Sequence, residues 1–174
     1  MTAALGYLEH LDGRLLGVAR ANAGKGGYTV FAQELARMTG VNLQRLPWCA
    51  VFVHWAFCKA FGASQSRRIL GRPHPGCRVL ARRMKRRKLW RGTEYIPRKW
   101  DIVFCANDGS CIDHCGIVES CDGHTVTSID GNAADPSGVL PKDRGGCVAR
   151  RQRPADSPVI RGYAQTGTIA EIRK

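Results

Sequence analysis

The chain of 174 residues has no long run of apolar residues. A helix that spans a membrane needs about 20 predominantly apolar residues in succession, and no stretch approaches that length. Charged side chains interrupt the first 24 residues, at Glu9, Asp12, Arg14 and Arg20, so this segment lacks the apolar core of a signal peptide. We therefore expect a protein that is synthesised in the cytoplasm without a signal peptide and that has no transmembrane segment.

Acidic residues are scarce. The sequence has 14 Asp and Glu against 27 Lys and Arg, which gives a formal net charge of +13. This imbalance favours a polyanionic partner, such as nucleic acid, an acidic membrane surface or an anionic cell wall, and charge alone does not choose among them. Because no helix-turn-helix, zinc-finger or RNP pattern is found, we expect no specific nucleic-acid binding.

Paired C-x2-C knuckles are missing, although the chain contains eight cysteines. The reducing cytosol disfavours disulfides, so we interpret most of these cysteines as small buried apolar residues. One set is a candidate for a zinc site: Cys105, Cys111, Cys115 and Cys121. Since it lacks the paired knuckles of structural zinc sites, we predict no metal and no other cofactor.

The most informative stretch begins at Pro47 and stays mostly apolar as far as Phe61, directly before Gly62. Proline tolerates the position ahead of a helix and glycine commonly ends one, so the pattern predicts a buried helix over 48–61. Cys49 then lies in the first turn. Unpaired backbone N–H groups and the helix dipole favour a thiolate there, which makes Cys49 a candidate nucleophile.

The remaining pattern divides the chain into a helical first part and a strand-rich second part. Helical spacing predicts further helices over 3–22, about 29–39 and 77–90, with polar turns over 64–76. From residue 100 the period is that of strands, over 101–106, 114–120, 125–130, 146–151 and 159–164, with a tight hairpin at Asp122-Gly123. Helices followed by an antiparallel sheet indicate an α+β domain, which we place at 1–165 with a C-terminal tail at 166–174.

A thiolate nucleophile needs a base and a group that orients the base. His114 opens a predicted strand and is the candidate base. Asp130 and Asn132 are two residues apart, so they project from the same face if their strand continues that far, and either side chain can orient the imidazole. A cysteine followed by a histidine and then by a carboxylate or amide is the papain-type order.

At these residues the sequence resembles the CHAP family, the cysteine- and histidine-dependent amidohydrolases and peptidases of phages and bacteria. The resemblance covers roughly residues 14–165 and is carried, in order, by Pro47–Trp55, Trp100–Phe104, His114–Val118 and Ile129–Asn132, with similar closing strands at 145–151 and 160–164. It implies a papain-like fold, Cys49 as nucleophile, His114 as base and cleavage of amide bonds in peptidoglycan.

Three positions depart from the residues usual in that family. Trp100 stands where a glycine is usual, Cys115 where a valine or threonine is usual, and Asp130 where a glutamate is usual. The last difference leaves open whether Asp130 or Asn132 orients His114, and we favour Asp130 because it matches the family's acidic position. No carboxylate occurs in residues 39–46, where some members bind calcium, so we predict no such site.

The resemblance predicts a peptidoglycan hydrolase, either an N-acetylmuramoyl-L-alanine amidase or a stem or cross-bridge endopeptidase. We expect a monomeric phage lysin that acts after holin-type release or as a virion component. Trp48 is predicted to line the cleft, Gln44 is a candidate second oxyanion donor, and the basic side chains between Arg78 and Arg91 are expected to bind anionic wall polymers. The alternatives are a non-catalytic virion or wall-binding module and a basic nucleic-acid-binding protein.

Overall fold

A computed structural model describes residues 28–134 and 145–167 of the chain, together with Leu5. The described helices are α1 (Val30–Thr39), α2 (Cys49–Phe61), α3 (Ala63–Leu70) and α4 (Cys77–Arg86). The strands are β1 (Trp90–Arg91), β2 (Ile102–Cys105), β3 (His114–Cys121), β4 (Thr125–Ala133), β5 (Cys147–Pro154) and β6 (Ile160–Ala164). Apart from Leu5, the predicted helix over 3–22 lies outside the described residues. None of the described helices combines the length and apolar character that crossing a bilayer requires.

The six strands form one sheet in the order β1-β6-β2-β3-β4-β5, and every neighbouring pair is antiparallel. The helices cover one face, where Ile102, Ile117 and Ile129 join the main core with the apolar residues of α1, α2 and α4. The opposite face carries a smaller buried cluster around Val103 and Tyr163. This arrangement confirms the α+β class and the papain-like fold.

Helix α2 is the buried centre of the molecule. Its residues are apolar on nearly all sides, and nine of its 13 residues are buried. A helix of this kind is stable only inside a core, where each fully buried large side chain contributes about 1.5–3 kcal/mol. Gly62 ends the helix with its backbone N–H on the Cys58 carbonyl, as the sequence predicts.

Gly131 allows the first turns of α2 to lie directly on β4. A Cβ atom at Gly131 would stand 2.4 Å from Cβ of Phe52 and 3.0 Å from Cζ3 of Trp48. Only a residue without a side chain fits between helix and strand at this point. The glycine therefore brings the start of α2, including Cys49, close to the end of the sheet that carries His114 and Asp130.

Two elements differ from the sequence-based prediction. Residues 63–70 form α3, although the polar composition of 64–76 predicts turns; Ser66, Ile69 and Leu70 are buried in it, so it is amphipathic. The predicted helix over 77–90 ends at Arg86, because Lys88 has a φ of 59° and Trp90–Arg91 pairs with β6 as a short edge strand. In both cases tertiary packing overrides a weak local signal.

The structure shows how a tryptophan is accommodated at position 100, where glycine is usual in the family. Its φ of 72° is in the left-handed region, where glycine has no steric penalty. The indole ring packs against Phe57 and Phe61, with ring centroids 5.3 and 4.8 Å apart. Aromatic contact with α2 offsets the conformational cost of a non-glycine residue there.

Candidate active site

Cys49 is the first residue of α2 and lines a groove of about 410 Å³. The cysteine is only 3% exposed, so a substrate reaches its sulfur through the groove and not from open solvent. The groove walls come from the start of α4, the turn before it, the start of α2 and the segment directly before β3. They include Pro47, His74, Cys77, Arg78, Arg82 and Ile112.

His114 begins β3 and connects Cys49 to a buried carboxylate. Its Nε2 atom lies 3.0 Å from Oδ2 of Asp130, which is fully buried. The ring also interacts with the Cys49 side chain, and Nδ1 is the nitrogen left for that contact. The structure thus aligns a thiol, an imidazole and a carboxylate.

The Asp130 carboxylate is fixed from three sides. Oδ1 accepts a 2.7 Å hydrogen bond from the Ser128 hydroxyl, and Oδ2 accepts a 2.7 Å bond from Nη2 of Arg153 on β5. Below it, a Cβ atom on Gly116 would stand 1.8 Å from Oδ1. The absence of a side chain at Gly116 therefore leaves the space that the Asp130 carboxylate occupies. This explains why a glycine stands two residues after His114.

Charge stabilises the protonated imidazole. Burial would lower the pKa of His114, but the hydrogen bond to Asp130 and the contact with Cys49 outweigh it and raise that pKa to about 10. Burial would likewise raise the pKa of Asp130, but His114 and Arg153 hold it well below its usual range. At neutral pH the pair is an imidazolium against a carboxylate.

The Cys49 thiol has a pKa held well below its ordinary value. The main cause is a hydrogen bond from Cys115, followed by one from Cys77, and the interaction with His114 adds to both. These outweigh burial, which acts in the opposite direction. Contacts with Cys49 and Cys77, together with burial, raise the pKa of Cys115. The site therefore holds one thiolate, on Cys49, beside neutral thiols.

Three cysteines meet at this point. The Sγ atoms of Cys49, Cys77 and Cys115 all lie within 4.8 Å of one another, and those of Cys49 and Cys77 are 3.1 Å apart. The four-cysteine set that the sequence offers as a zinc candidate is not brought together. Cys105 and Cys115 lie on neighbouring paired strands with their side chains on opposite faces of the sheet, since they belong to different buried clusters.

Two predicted substrate-binding residues have structural roles instead. Trp48 is 1% exposed and stacks on Phe31 at 5.5 Å, so its ring belongs to the core and does not line the cleft. Gln44 accepts a hydrogen bond from the Thr29 N–H at 2.9 Å and donates one to the Thr29 carbonyl at 3.0 Å. Its amide therefore ties the segment before α2 to the start of α1, and the prediction of an oxyanion donor loses its support.

Asn132 is not placed beside Asp130 as the strand pattern predicts. The register of β4 shifts between Gly131 and Ala133, and Asn132 has a φ of 56°. This irregularity breaks the alternation, and the Asn132 side chain lies against Gly145. Within the described residues the imidazole of His114 bonds to Asp130 and not to Asn132.

The basic helix divides into two sets of side chains. Arg83 donates to the Arg72 carbonyl between α3 and α4, and Arg87 donates to the Ile69 carbonyl in the last turn of α3 at 3.0 Å. Arg82 and Arg86 make no such bond in the described part of the chain and line an exposed depression beside Val79 and Lys85. The second set is the part of the face that is available to a ligand.

Arg153, Ser128, Cys77 and Cys115 are members of the site that the sequence did not identify. Ser128 is two residues before Asp130, so strand alternation gave a usable signal. Cys77 opens the predicted 77–90 helix in the same way that Cys49 opens α2. Arg153 had no local signal, because it reaches Asp130 only through the pairing of β4 with β5.

A cysteine at a helix start, a histidine at a strand start and a carboxylate on the next strand are the arrangement of papain-like cysteine hydrolases. The family model of the CHAP domain matches residues 41–132, more than half of the chain. The chain therefore belongs to the CHAP family of amidohydrolases and peptidases, whose substrate is peptidoglycan. No curated protein and no solved structure matches it significantly.

Proposed function

We propose that the protein hydrolyses an amide bond of peptidoglycan with Cys49 as nucleophile, His114 as general acid and base, and Asp130 as the orienting group. The observation that carries this proposal is the pairing of His114 with the buried Asp130 at 3.0 Å next to Cys49, whose pKa His114 helps to lower and which lines a groove. Each residue fits a role that the reaction requires.

In the first half of the reaction, the Cys49 thiolate attacks the carbonyl carbon of the substrate amide. The imidazolium of His114 then transfers its proton to the leaving amine, and a thioester forms between substrate and Cys49. Asp130 accepts from the Nε2 N–H of His114, which leaves Nδ1 for the proton that is exchanged with the substrate. In the second half, His114 takes a proton from water, which attacks the thioester and releases the acid and the thiolate.

The start of α2 provides one donor for the oxyanion. The first backbone bond of the helix runs from Phe52 N to the Trp48 carbonyl, so the Cys49 N–H has no partner within the helix. This N–H lies next to the nucleophile, which is where negative charge develops on the carbonyl oxygen. Trp48 contributes no side-chain cap that would compete for the first-turn donors.

The exposed set of basic side chains continues from the groove along α4 and suits an anionic wall. Arg78 and Arg82 line the groove itself, and Arg82 and Arg86 line the neighbouring depression. Wall polymers that carry phosphate or carboxylate groups would be held beside Cys49 by these charges. A phage lysin, released from the cytoplasm by a holin or carried in the virion, is the setting that we propose for this activity.

Digestion of purified peptidoglycan tests the proposal and identifies the bond. Fragments released by the wild-type protein are analysed by mass spectrometry. A free lactyl group on the glycan indicates an amidase, and a new peptide N-terminus within the stem or bridge indicates an endopeptidase. Cys49→Ala is the matched control, because it removes only the sulfur from a residue whose backbone stays in α2.

Release of fragments by the wild type and not by Cys49→Ala supports the proposal. Equal release by both proteins contradicts it. Wall binding without any fragment would favour a non-catalytic wall-binding module.

A further inference from the structure

We propose that Cys49, Cys77 and Cys115 form a binding site for a thiophilic d¹⁰ cation of the zinc class, which blocks the nucleophile when it is bound. The three Sγ atoms lie within 4.8 Å of one another, and all three residues are buried. They come from three separate elements, the starts of α2 and α4 and strand β3. The blocking effect rests on the proposed function, whereas the metal site itself does not.

The distances suit a metal–thiolate site. Zinc binds cysteine sulfur at about 2.3 Å, so two sulfurs in a tetrahedral site stand roughly 3.8 Å apart. All three sulfurs lie within 4.8 Å of one another, and the 3.1 Å between Cys49 and Cys77 is shorter than that spacing. Small side-chain rotations bring the three sulfurs to it.

The surroundings supply an entry path and an open position. Cys49 and Cys77 both line the groove, while Cys115 is fully buried behind them. A cation that enters through the groove meets two sulfurs first and the third at the bottom. A water molecule from the groove would complete the tetrahedron.

No acidic side chain occurs in the first turn of α2 or of α4. The cluster is therefore a soft-donor site without competing carboxylates from these turns, which selects zinc or cadmium over calcium or magnesium. Cys58 and Cys111 are outside the cluster and provide matched controls, one buried and one partly exposed.

Cadmium titration tests the site in the full-length protein, reduced with a phosphine and free of other metals. Thiolate-to-cadmium absorbance in the ultraviolet should saturate at one ion per chain. Cys77→Ala and Cys115→Ala should each weaken binding at least tenfold, while Cys58→Ala and Cys111→Ala leave it unchanged. An unchanged titration in both cluster variants would overturn the proposal.

Alkylation of the wild type gives a second test that requires no folded variant. Zinc should protect Cys49 and Cys77 from iodoacetamide, as mapped by mass spectrometry, and leave Cys111 and Cys121 reactive. Alkylation of Cys49 that is equally fast with and without zinc would overturn the site.

The metal site and the proposed function can fail separately. Cadmium binding without hydrolysis by the metal-free enzyme would contradict the function and leave the site. Hydrolysis that is unaffected by zinc, together with no cadmium binding, would contradict the site and leave the function.

Discussion

Helices α2 and α4 begin alike, but their first cysteines differ in charge. Each helix starts with a cysteine, Cys49 or Cys77, without a side-chain cap and without an acidic residue in the first turn. Yet the pKa of Cys49 is held far below its ordinary value, first by the hydrogen bond from Cys115. The same kind of bond would lower the pKa of Cys77, but the Cys49 thiolate and burial outweigh it and raise that pKa.

A helix start therefore favours a thiolate but does not decide which sulfur carries the charge. Two thiolates 3.1 Å apart would repel each other, so the pair holds one. Cys115 lowers the pKa of both sulfurs, and the interaction with His114 lowers that of Cys49 further. The sequence analysis places Cys49 in the first turn of a helix, but Cys77 has the same position at the start of α4, so contact with His114 is what distinguishes Cys49.

The bodies of the two helices also differ. Helix α2 is buried along its length and fixes Cys49 in the core, whereas α4 buries Leu80, Ala81 and Met84 and exposes a basic face. One helix therefore holds the nucleophile still, and the other presents charge to a ligand beside it. Substitutions in the two helices, and in the strands that hold His114 and Asp130, test this division.

The largest effect should come from exchanging the two cysteines for alanine in turn. Cys49→Ala should reduce hydrolysis by about a millionfold, to background, because the nucleophile is lost. Cys77→Ala should reduce turnover less than tenfold, since it removes one hydrogen bond of about 1 kcal/mol. Because that bond lowers the pKa of Cys49, the acid limb of the pH–rate profile should move to higher pH. Both are measured with a metal chelator present.

Cys58→Ala is the control for this pair, since Cys58 is a buried cysteine of α2 outside the site. Cys58→Ala should keep the wild-type pH–rate profile of hydrolysis. If Cys77→Ala folds normally and is as inactive as Cys49→Ala, the two cysteines do not differ in the way that we infer.

The next largest effect should come from Asp130, the carboxylate that pairs with the His114 imidazolium. Asp130→Asn should lower turnover by about 100-fold, because the imidazolium loses its ion pair. The pKa of His114, about 10 in the wild type, should fall when the negative charge is removed. Since the active form needs a protonated His114, the alkaline limb of the pH–rate profile should move to lower pH.

Asn132→Ala is the comparison for that variant. It should keep most of the turnover and the wild-type alkaline limb, because the Asn132 side chain lies against Gly145. Full activity of Asp130→Asn together with an inactive Asn132→Ala would show that Asn132 orients the base.

A smaller effect is expected from moving the carboxylate instead of removing its charge. Gly116→Ala places a Cβ atom where Oδ1 of Asp130 now lies, so the carboxylate must shift. Turnover should fall about tenfold, because misplaced catalytic groups lose part of their effect. Gly92→Ala is the control, since its new Cβ would meet only the far end of the flexible Glu94 side chain. Equal activity of both variants would contradict the role of Gly116.

The smallest effect should be on wall binding by α4. Arg82→Gln with Arg86→Gln should weaken binding a few-fold at low salt, because each exposed ion pair contributes about 0.2–1 kcal/mol. The difference in wall binding between this variant and the wild type should shrink at physiological salt as the charges are screened. Binding that does not depend on salt would contradict an electrostatic role.

Arg83→Gln with Arg87→Gln should instead lower the melting temperature, since both side chains bond to backbone carbonyls.

Most of the fold could be predicted from the sequence because its signals are local. The Pro47 and Gly62 boundaries of α2, the end of α1 at Gly40 and the hairpin at Asp122-Gly123 depend on neighbouring residues alone. Helix α3 and strand β1 were missed. Polar composition hid the amphipathic pattern of α3, and two residues of β1 are too few to show a period.

Local sequence signals were enough to place Cys49 in the first turn of a helix that follows Pro47, His114 at the start of a strand and Asp130 on the next strand, because helix caps and strand alternation are set by adjacent residues. Tertiary structure alone decided that Cys77 and Cys115 meet Cys49, that Arg153 supports Asp130, and that Trp48 is buried. It also turned Asn132 away through an irregularity in β4. Contacts between residues far apart in the chain depend on how helices and strands pack, and local patterns contain no record of that packing.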